Sequence, residues 1–259
     1  MTKNRYAAGA RGALAGLLVL LGAAAAVATA ATPSLYERAL ATAGRSAEDQ
    51  ARDARDRTAE LYAFAGFRRG MRIADIFGGG GYHSELLSYV VGPGGRVLLV
   101  NNPPYASYAA EDQAVRFKDG RLAAVERRVV PNTALGLGRA RLDAALFVMS
   151  YHDLYWQDEK TFPRVDAGQF LEQVRAAIRP GGHLLIVDHA AAAGSGSTPA
   201  QTLHRIDEQY AKHDLESHGF RLEKSWDGLR NPADDHSKAV FDPAIRGHTD
   251  RFVQLYRRL

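Results

Sequence analysis

MRIADIFGGGGYHSELLSYVVGPGGRVLLV, residues Met71–Val100, decides the fold. Ile73, Ala74 and Ile76 form a short apolar run that stops at four consecutive glycines, Gly78–Gly81. Tyr82–Val91 then carries Leu86, Leu87, Val90 and Val91 at helical spacing. Gly92-Pro93-Gly94-Gly95 ends that helix, and Arg96–Val100 is a second apolar run. Strand, glycine turn, helix and strand make one βαβ unit, the building block of a parallel sheet with right-handed crossovers. Glycines at such a turn let a ligand approach the backbone and allow positive φ.

The spacing of those glycines narrows the ligand. A dinucleotide fingerprint, G-x-G-x-x-G, would start at Gly79 and Gly81 but meets Ser84 at its third glycine. An acidic-x-Gly-x-Gly-x-Gly frame is met by Asp75, Phe77, Gly79 and Gly81, with Phe77 in place of the first glycine. A glycine-rich turn that binds nothing remains the plain alternative. After the second strand comes Asn101, where doubly wound folds usually place the Asp or Glu that holds a ribose. An amide there can accept one hydrogen bond and donate another, without the charge. Asn101 before Asn102-Pro103-Pro104 also reads equally well as a simple turn.

Working outward, the chain of 259 residues is long enough for one α/β domain with a sizeable core. Its start has the three parts of a secretory signal: Lys3, Arg5 and Arg11, the apolar run Ala13–Ala28, and the small-x-small site Ala28-Thr29-Ala30. This divides the chain into a signal over 1–30, a helical segment over 31–70 and an α/β domain over 71–259. Cleavage would leave Ala31 first and a periplasmic or secreted protein without stable membrane association. An uncleaved anchor over 12–31 is the alternative. The signal carries three of the charges behind the net +4, which leaves +1 for the remainder and no argument for a nucleic-acid partner. There is no cysteine, so disulfides and cysteine-based metal sites are excluded.

Pro33–Arg69 reads as amphipathic helix, with Ser46 and Asp49 spaced as a capping box. Asp49, Arg52, Asp53, Asp56 and Arg57 fall at helical spacings that suit a solvated face. A functional alternative lays this helix across the mouth of the ligand pocket. Tyr105–Val130 reads as a helix and a short strand, and Pro131–Gly138 as a loop. Leu142–Met149 is the next apolar strand, Asp166–Ile178 an amphipathic helix and His183–Val187 another buried strand. Ala190–Pro199 is expected to be a mobile loop of small residues over the crevice, and Thr202–His218 a helix. Phe220–Trp226 and Asp250–Tyr256 read as strands closing the same sheet in antiparallel fashion.

The strand Leu142–Met149 runs into Ser150-Tyr151-His152-Asp153-Leu154-Tyr155-Trp156. The C-terminal ends of strands in such sheets face the ligand crevice. Tyr151, His152 and Asp153 are therefore the candidate catalytic residues, with His152 as a base for a substrate hydroxyl or amine. A histidine that only holds a loop is the equally weighted alternative. Asp153 can orient His152 only if a turn brings the neighbours together, because adjacent strand residues point opposite ways. The nine histidines show no H-E-x-x-H or similar pair, and neither Asp188-His189 nor Asp234-Asp235-His236 is expected to hold a metal. No G-x-S-x-G elbow supports a hydrolase.

With these residues in place, the chain resembles class I S-adenosylmethionine-dependent methyltransferases. More narrowly, it resembles a group of bacterial predicted methyltransferases with export signals. RDARDRTAELYAFAGF, the glycine-turn segment, SYHDLYW, RPGGHLLIVDH and VFDPAIRGHTDRFVQLYRR carry the likeness across most of the chain after residue 30. The resemblance implies a Rossmann-like, mostly parallel seven-stranded sheet with one reversed strand and helices on both faces. It implies S-adenosylmethionine as cofactor and a small-molecule acceptor. The residues it assigns to the cofactor are Asp75, Phe77, Gly78, Gly79, Gly80, Gly81, Tyr82 and Asn101. Tyr151, His152 and Asp153 fall on the acceptor side. Phe77 departs from the wider pattern, and so does Asn101, which the narrower group shares. Export would separate such an enzyme from a cofactor made in the cytoplasm. Two alternatives therefore stand beside it: a non-catalytic exported binding module on the same fold, and an enzyme using another nucleotide cofactor.

Overall fold

The apolar run before the glycines is strand β1 (Arg72–Ile76), the segment after them is helix α4 (Tyr82–Val91), and the second run is β2 (Arg96–Asn101). β1 and β2 pair in parallel, from Arg72 beside Arg96 to Ile76 beside Val100. The computed structural model describes residues 32–259, so the signal read over 1–30 and the alternative anchor over 12–31 lie outside the described residues. Among the described residues no helix is long and apolar enough to cross a membrane.

Strands β3 (Val125–Val129), β4 (Leu142–Val148), β5 (Ile178–His189), β6 (Phe220–Ser225) and β7 (Arg251–Arg258) complete a seven-stranded sheet in the order β3-β2-β1-β4-β5-β7-β6. β7 runs antiparallel to both its neighbours, and the other pairs are parallel. This is the expected sheet with its single reversed strand. The inner strands are nearly continuous apolar runs because helices cover both faces. Ala74 and Ile76 of β1 pack with Phe170 and Val174 of helix α7 (Ala167–Ala177), whereas Ile73 packs with Leu61 and Leu86 on the opposite face. The strand order reverses between β1 and β4. The crevice beyond the carboxyl ends of those two strands is where such sheets bind ligands.

Before β1 the chain forms α1 (Leu35–Leu40), α2 (Ala47–Arg55) and α3 (Thr58–Ala65). The complete capping box belongs to α1, through Ser34 and Glu37. At α2 only half of the expected box forms, Ser46 Oγ accepting the Asp49 amide at 3.1 Å. The acidic face of α2 is not solvated, which corrects the surface-helix reading: Asp49, Asp53 and Asp56 are all buried. Asp49 pairs with Arg116 at 2.6 Å. Asp53 accepts from Arg45 at 2.7 Å and from the Tyr82 hydroxyl at 2.7 Å. Asp56 pairs with Arg52 at 2.8 Å and with Arg251 of β7 at 2.9 Å. Two of those arginines lie 67 and 195 residues away in sequence, where no local charge pattern reveals them.

Three further stretches differ from the sequence reading. Between β2 and β3 the chain is broken into α5 (Pro103–Tyr108), α6 (Ala110–Arg116) and a 3-10 turn. Asn102 caps α5, accepting the Tyr105 amide at 2.9 Å, and the two prolines occupy the first turn, where no amide hydrogen is needed. The helix expected over Thr202–His218 is two, α8 (Ala200–Leu203) and α9 (Glu208–Ser217), because His204 turns left-handed at φ 52°. The small-residue stretch Ala190–Pro199 is tied to that break. The Gly194 amide donates to Asp207 at 2.7 Å and the Ala191 amide to the Ile206 carbonyl at 3.0 Å.

Candidate functional site

The glycine turn opens at the carboxyl end of β1, and its four glycines meet different surroundings. A Cβ on Gly78 would lie 2.4 Å from Asp75 Oδ2 and 2.6 Å from Leu99, so the turn folds directly onto its own strand. Cβ atoms on Gly80 and Gly81 would meet Asp112 and Phe117 at 2.7 and 3.1 Å. Gly79, at φ 55°, has nothing within 4 Å of that position. Its backbone is the one place in the turn where another molecule can lie against the chain without displacing a side chain.

Asp75 sits beneath the turn and is buried, accepting the Ser84 hydroxyl at 2.7 Å. Burial drives its carboxyl up to about 6, against the Ser84 hydrogen bonds that favour its charge. Asn101 is bonded to the turn: Oδ1 accepts the Gly79 amide at 3.1 Å and Nδ2 donates to the Gly79 carbonyl at 3.0 Å. Gln113 donates to the same carbonyl at 2.8 Å and Arg116 to the Gly80 carbonyl at 2.8 Å, so α6 lies over the turn. Arg116 also pairs with Asp49, which connects α2 to the turn. This bears on the alternative reading of that helix. Tyr82 points to the N-terminal helices, its hydroxyl bonded to Asp53 and Thr58. Phe77 has φ 52°, a backbone shape suited to the glycine it replaces. Its ring stacks on Tyr105 at 4.7 Å and packs against Phe147, Phe162 and Phe170.

S-adenosylmethionine, which the resemblance implies, fits these residues in part. The open face of Gly79 suits close approach of a ligand. With Oδ1 accepting one bond and Nδ2 donating one, the Asn101 amide keeps a second lone pair and a second hydrogen.

Beyond β4, Met149 takes φ 55° and a single 3-10 turn, His152–Leu154, follows. That turn supplies the bend that adjacent His152 and Asp153 need, and it sets His152 Nε2 3.4 Å from Asp153 Oδ1. The other ring nitrogen, Nδ1, donates to Asp188 Oδ1 at 2.7 Å, and the His152 amide donates to Asp188 Oδ2 at 2.8 Å. Burial opposes charge on this ring, but the carboxylates of Asp188 and Asp153 outweigh it and push its pKa up to about 9. Asp153 also accepts the hydroxyl of Tyr105, the residue stacked on Phe77. Two of the three candidate catalytic residues are thus brought together. Tyr151 is not: it is fully buried and its hydroxyl donates to Asp214 on α9.

Sequence reasoning missed Asp188, Tyr105 and His204 at this place. Asp188 was open to detection. β4 and β5 run side by side with Val148 beside Val187, so the residues that follow on each strand must meet. Next to the 3-10 turn a cleft of about 670 Å³ is lined by Leu154, Tyr155, Trp156, Val165 and Gln201 among others. Trp156 forms a wall of it and lies 5.4 Å from the His204 ring.

No family model matches the chain, and no curated protein sequence matches it. Solved structures do. A S-adenosylmethionine-dependent methyltransferase from Aquifex aeolicus aligns with a TM-score of 0.54 at 18% identity, over 77% of this chain and 88% of its own. An arsenic(III) S-adenosylmethionine methyltransferase from Chlamydomonas reinhardtii gives 0.53 at 14% identity, over 88% and 74% of the two chains. The [4+2]-cyclase SpnF gives 0.54 at 15% identity, over 84% of each. At these identities the likeness is one of fold: the described chain has the Rossmann-like fold of class I methyltransferases, on which a cyclase is also built.

Proposed function

We propose that this chain transfers a methyl group from S-adenosylmethionine to a small-molecule acceptor. The observation that carries the reading is Gly79, whose open face lies at the switch point between β1 and β4 of this sheet. Bound there, the cofactor supplies an electrophilic methyl group. Gly79 admits it, Asp75 and Ser84 hold the turn beneath it, and the remaining lone pair and hydrogen of the Asn101 amide are the groups proposed for a ribose. His152 follows the neighbouring strand β4, its Nδ1–H donated to Asp188. The cleft beside Trp156 is of a size for a small acceptor with aromatic or apolar parts.

Calorimetric titration of the purified chain with S-adenosylmethionine and S-adenosylhomocysteine tests this. Binding on the order of micromolar is expected, and Gly79→Val, which fills the open face, abolishes it. Absence of binding up to about millimolar by a protein with a cooperative unfolding transition sinks the reading. The second reading, a non-catalytic binding module, is favoured by the closed Asn101–Gly79 contact and by the Phe77–Tyr105 stack beside it.

Export is part of the same proposal and rests on Lys3, Arg5, Arg11 and the Ala28-Thr29-Ala30 site. N-terminal sequencing of the protein from a periplasmic fraction is expected to find Ala31 first. A chain that keeps Met1 in the membrane fraction points to the anchor instead.

A further inference from the structure

His204 is the residue the crevice chemistry leaves unexplained. It follows α8 in a left-handed conformation, φ 52°, which a histidine adopts at a cost. The next residue holds it there. Arg205 is fully buried and donates to the Lys238 carbonyl at 2.9 Å, the Ala190 carbonyl at 2.9 Å and Asp234 at 3.0 Å. The result is a ring delivered to His152 and Asp153, with His204 Nδ1 3.7 Å from Asp153 Oδ1. One atom each from His152, Asp153 and His204 lies within 4.8 Å of the others.

Three electron-pair donors therefore converge on one point. Because His152 donates Nδ1–H to Asp188, Nε2 is the ring nitrogen left to face the carboxylate oxygen of Asp153, and it offers a lone pair there once its proton is displaced. Lone pair facing lone pair in a buried place is unfavourable unless something positive lies between them. Protons on His152 Nε2 and His204 Nδ1 can both point at that oxygen, and a single cation can take the place of both. A cation satisfies all three. Ligand atoms about 2.0–2.2 Å from a tetrahedral ion lie roughly 3.3–3.6 Å from one another, close to the 3.4 and 3.7 Å separations at Asp153.

We propose that His152 Nε2, Asp153 Oδ1 and His204 Nδ1 form a binding site for a divalent first-row transition metal ion. Two imidazoles and one carboxylate suit such an ion better than calcium or magnesium, which take oxygen ligands. Asp188 supplies the carboxylate that fixes the ring of a ligating histidine, and the Tyr105 hydroxyl holds the second oxygen of Asp153. Three protein ligands leave a coordination position for water or for a donor atom of the acceptor. The His204 side chain is 21% exposed, which gives the ion a way in. His204 lies 52 residues beyond His152, and only His152 and Asp153 are adjacent, so no short metal motif marks them.

The site is tested with Co²⁺ alone, titrated into the full chain at about pH 7.5, where the ion displaces the proton on His152 Nε2. One equivalent is expected to bind with the visible d–d bands of a low-coordinate ion, and Zn²⁺ is expected to displace it. His204→Gly removes a ligand and suits the left-handed backbone, so it keeps the fold and weakens binding by about tenfold or more. Asp153→Asn weakens it likewise without changing shape. Equal affinity of the native chain and a folded His204→Gly variant overturns the proposal, as does a native chain that develops no bands. The readout needs no S-adenosylmethionine, so its failure and the failure of the methyl-transfer reading are separate results.

Discussion

Phe77 stands where a glycine is expected, and the cost and the compensation sit in the same residue. A left-handed backbone costs a non-glycine residue about 1–2 kcal/mol. Its ring is buried against Tyr105, Phe147, Phe162 and Phe170, and truncating a buried phenylalanine costs about 3–5 kcal/mol. Packing outweighs strain, so Phe77→Gly is expected to lower stability by about 1–4 kcal/mol in urea denaturation although it restores the usual glycine. Asp75 presents the opposite balance. Its carboxyl is raised from 3.8 to about 6 by burial. Below pH 4 both folded and unfolded chains hold the proton and nothing is lost. As pH rises through that window the unfolded chain ionises first, and above 6 the fold carries a constant penalty of about 3 kcal/mol. Asp75→Asn still accepts from Ser84. It is therefore expected to be the more stable protein at pH 8, by about 2–3 kcal/mol, with the gap closing at pH 4. A gap of equal size at both pH values contradicts the assignment. Such a variant would separate holding the turn from binding a ligand, since the same calorimetric titration reads the second.

At the scale of elements, helix α2 shows where sequence reading runs out. Its charges are visible at helical spacing, and the pattern does not say which way they face. Asp49, Asp53 and Asp56 turn inward because Arg116, Arg45 and Arg251 wait there, and two of those three belong to elements formed much later in the chain. Burial opposes charge on Asp56, yet Arg251 and Arg52 outweigh it and hold the carboxyl well below the usual range. Stability from that pair is present above pH 4 and is lost as pH falls below it. Asp56→Asn is expected to cost about 3–5 kcal/mol at pH 7, with a deficit that shrinks in acid, read by thermal unfolding across pH. The βαβ unit was legible because each of its signals is local: apolar runs, helical spacing, and glycines at both ends. The break at His204 was not, because nothing near it in sequence reveals that Arg205 is held by Asp234, Lys238 and Ala190.

Over the whole molecule, the antiparallel closing strands could be read from the apolar runs, while the helices on both faces were what the resemblance to class I methyltransferases implied. The site could be read only in outline. Its position follows from strand ends, and strand ends follow from pattern. Its chemistry depends on pairings such as His152 with Asp188 and Asp153 with His204, which exist only once the sheet has brought distant strands into register. The placement of β7 carries a last consequence. It is made after the other strands of the sheet, yet it is inserted between β5 and β6 and not added at the rim. Until it arrives β6 has no neighbour, β5 has an open edge, and Asp56 lacks Arg251. During synthesis the sheet thus stays incomplete until β7 has been made, however much of the chain precedes it. A chain in that condition presents an unpaired strand and an open sheet edge, and these are what chaperones and proteases meet first.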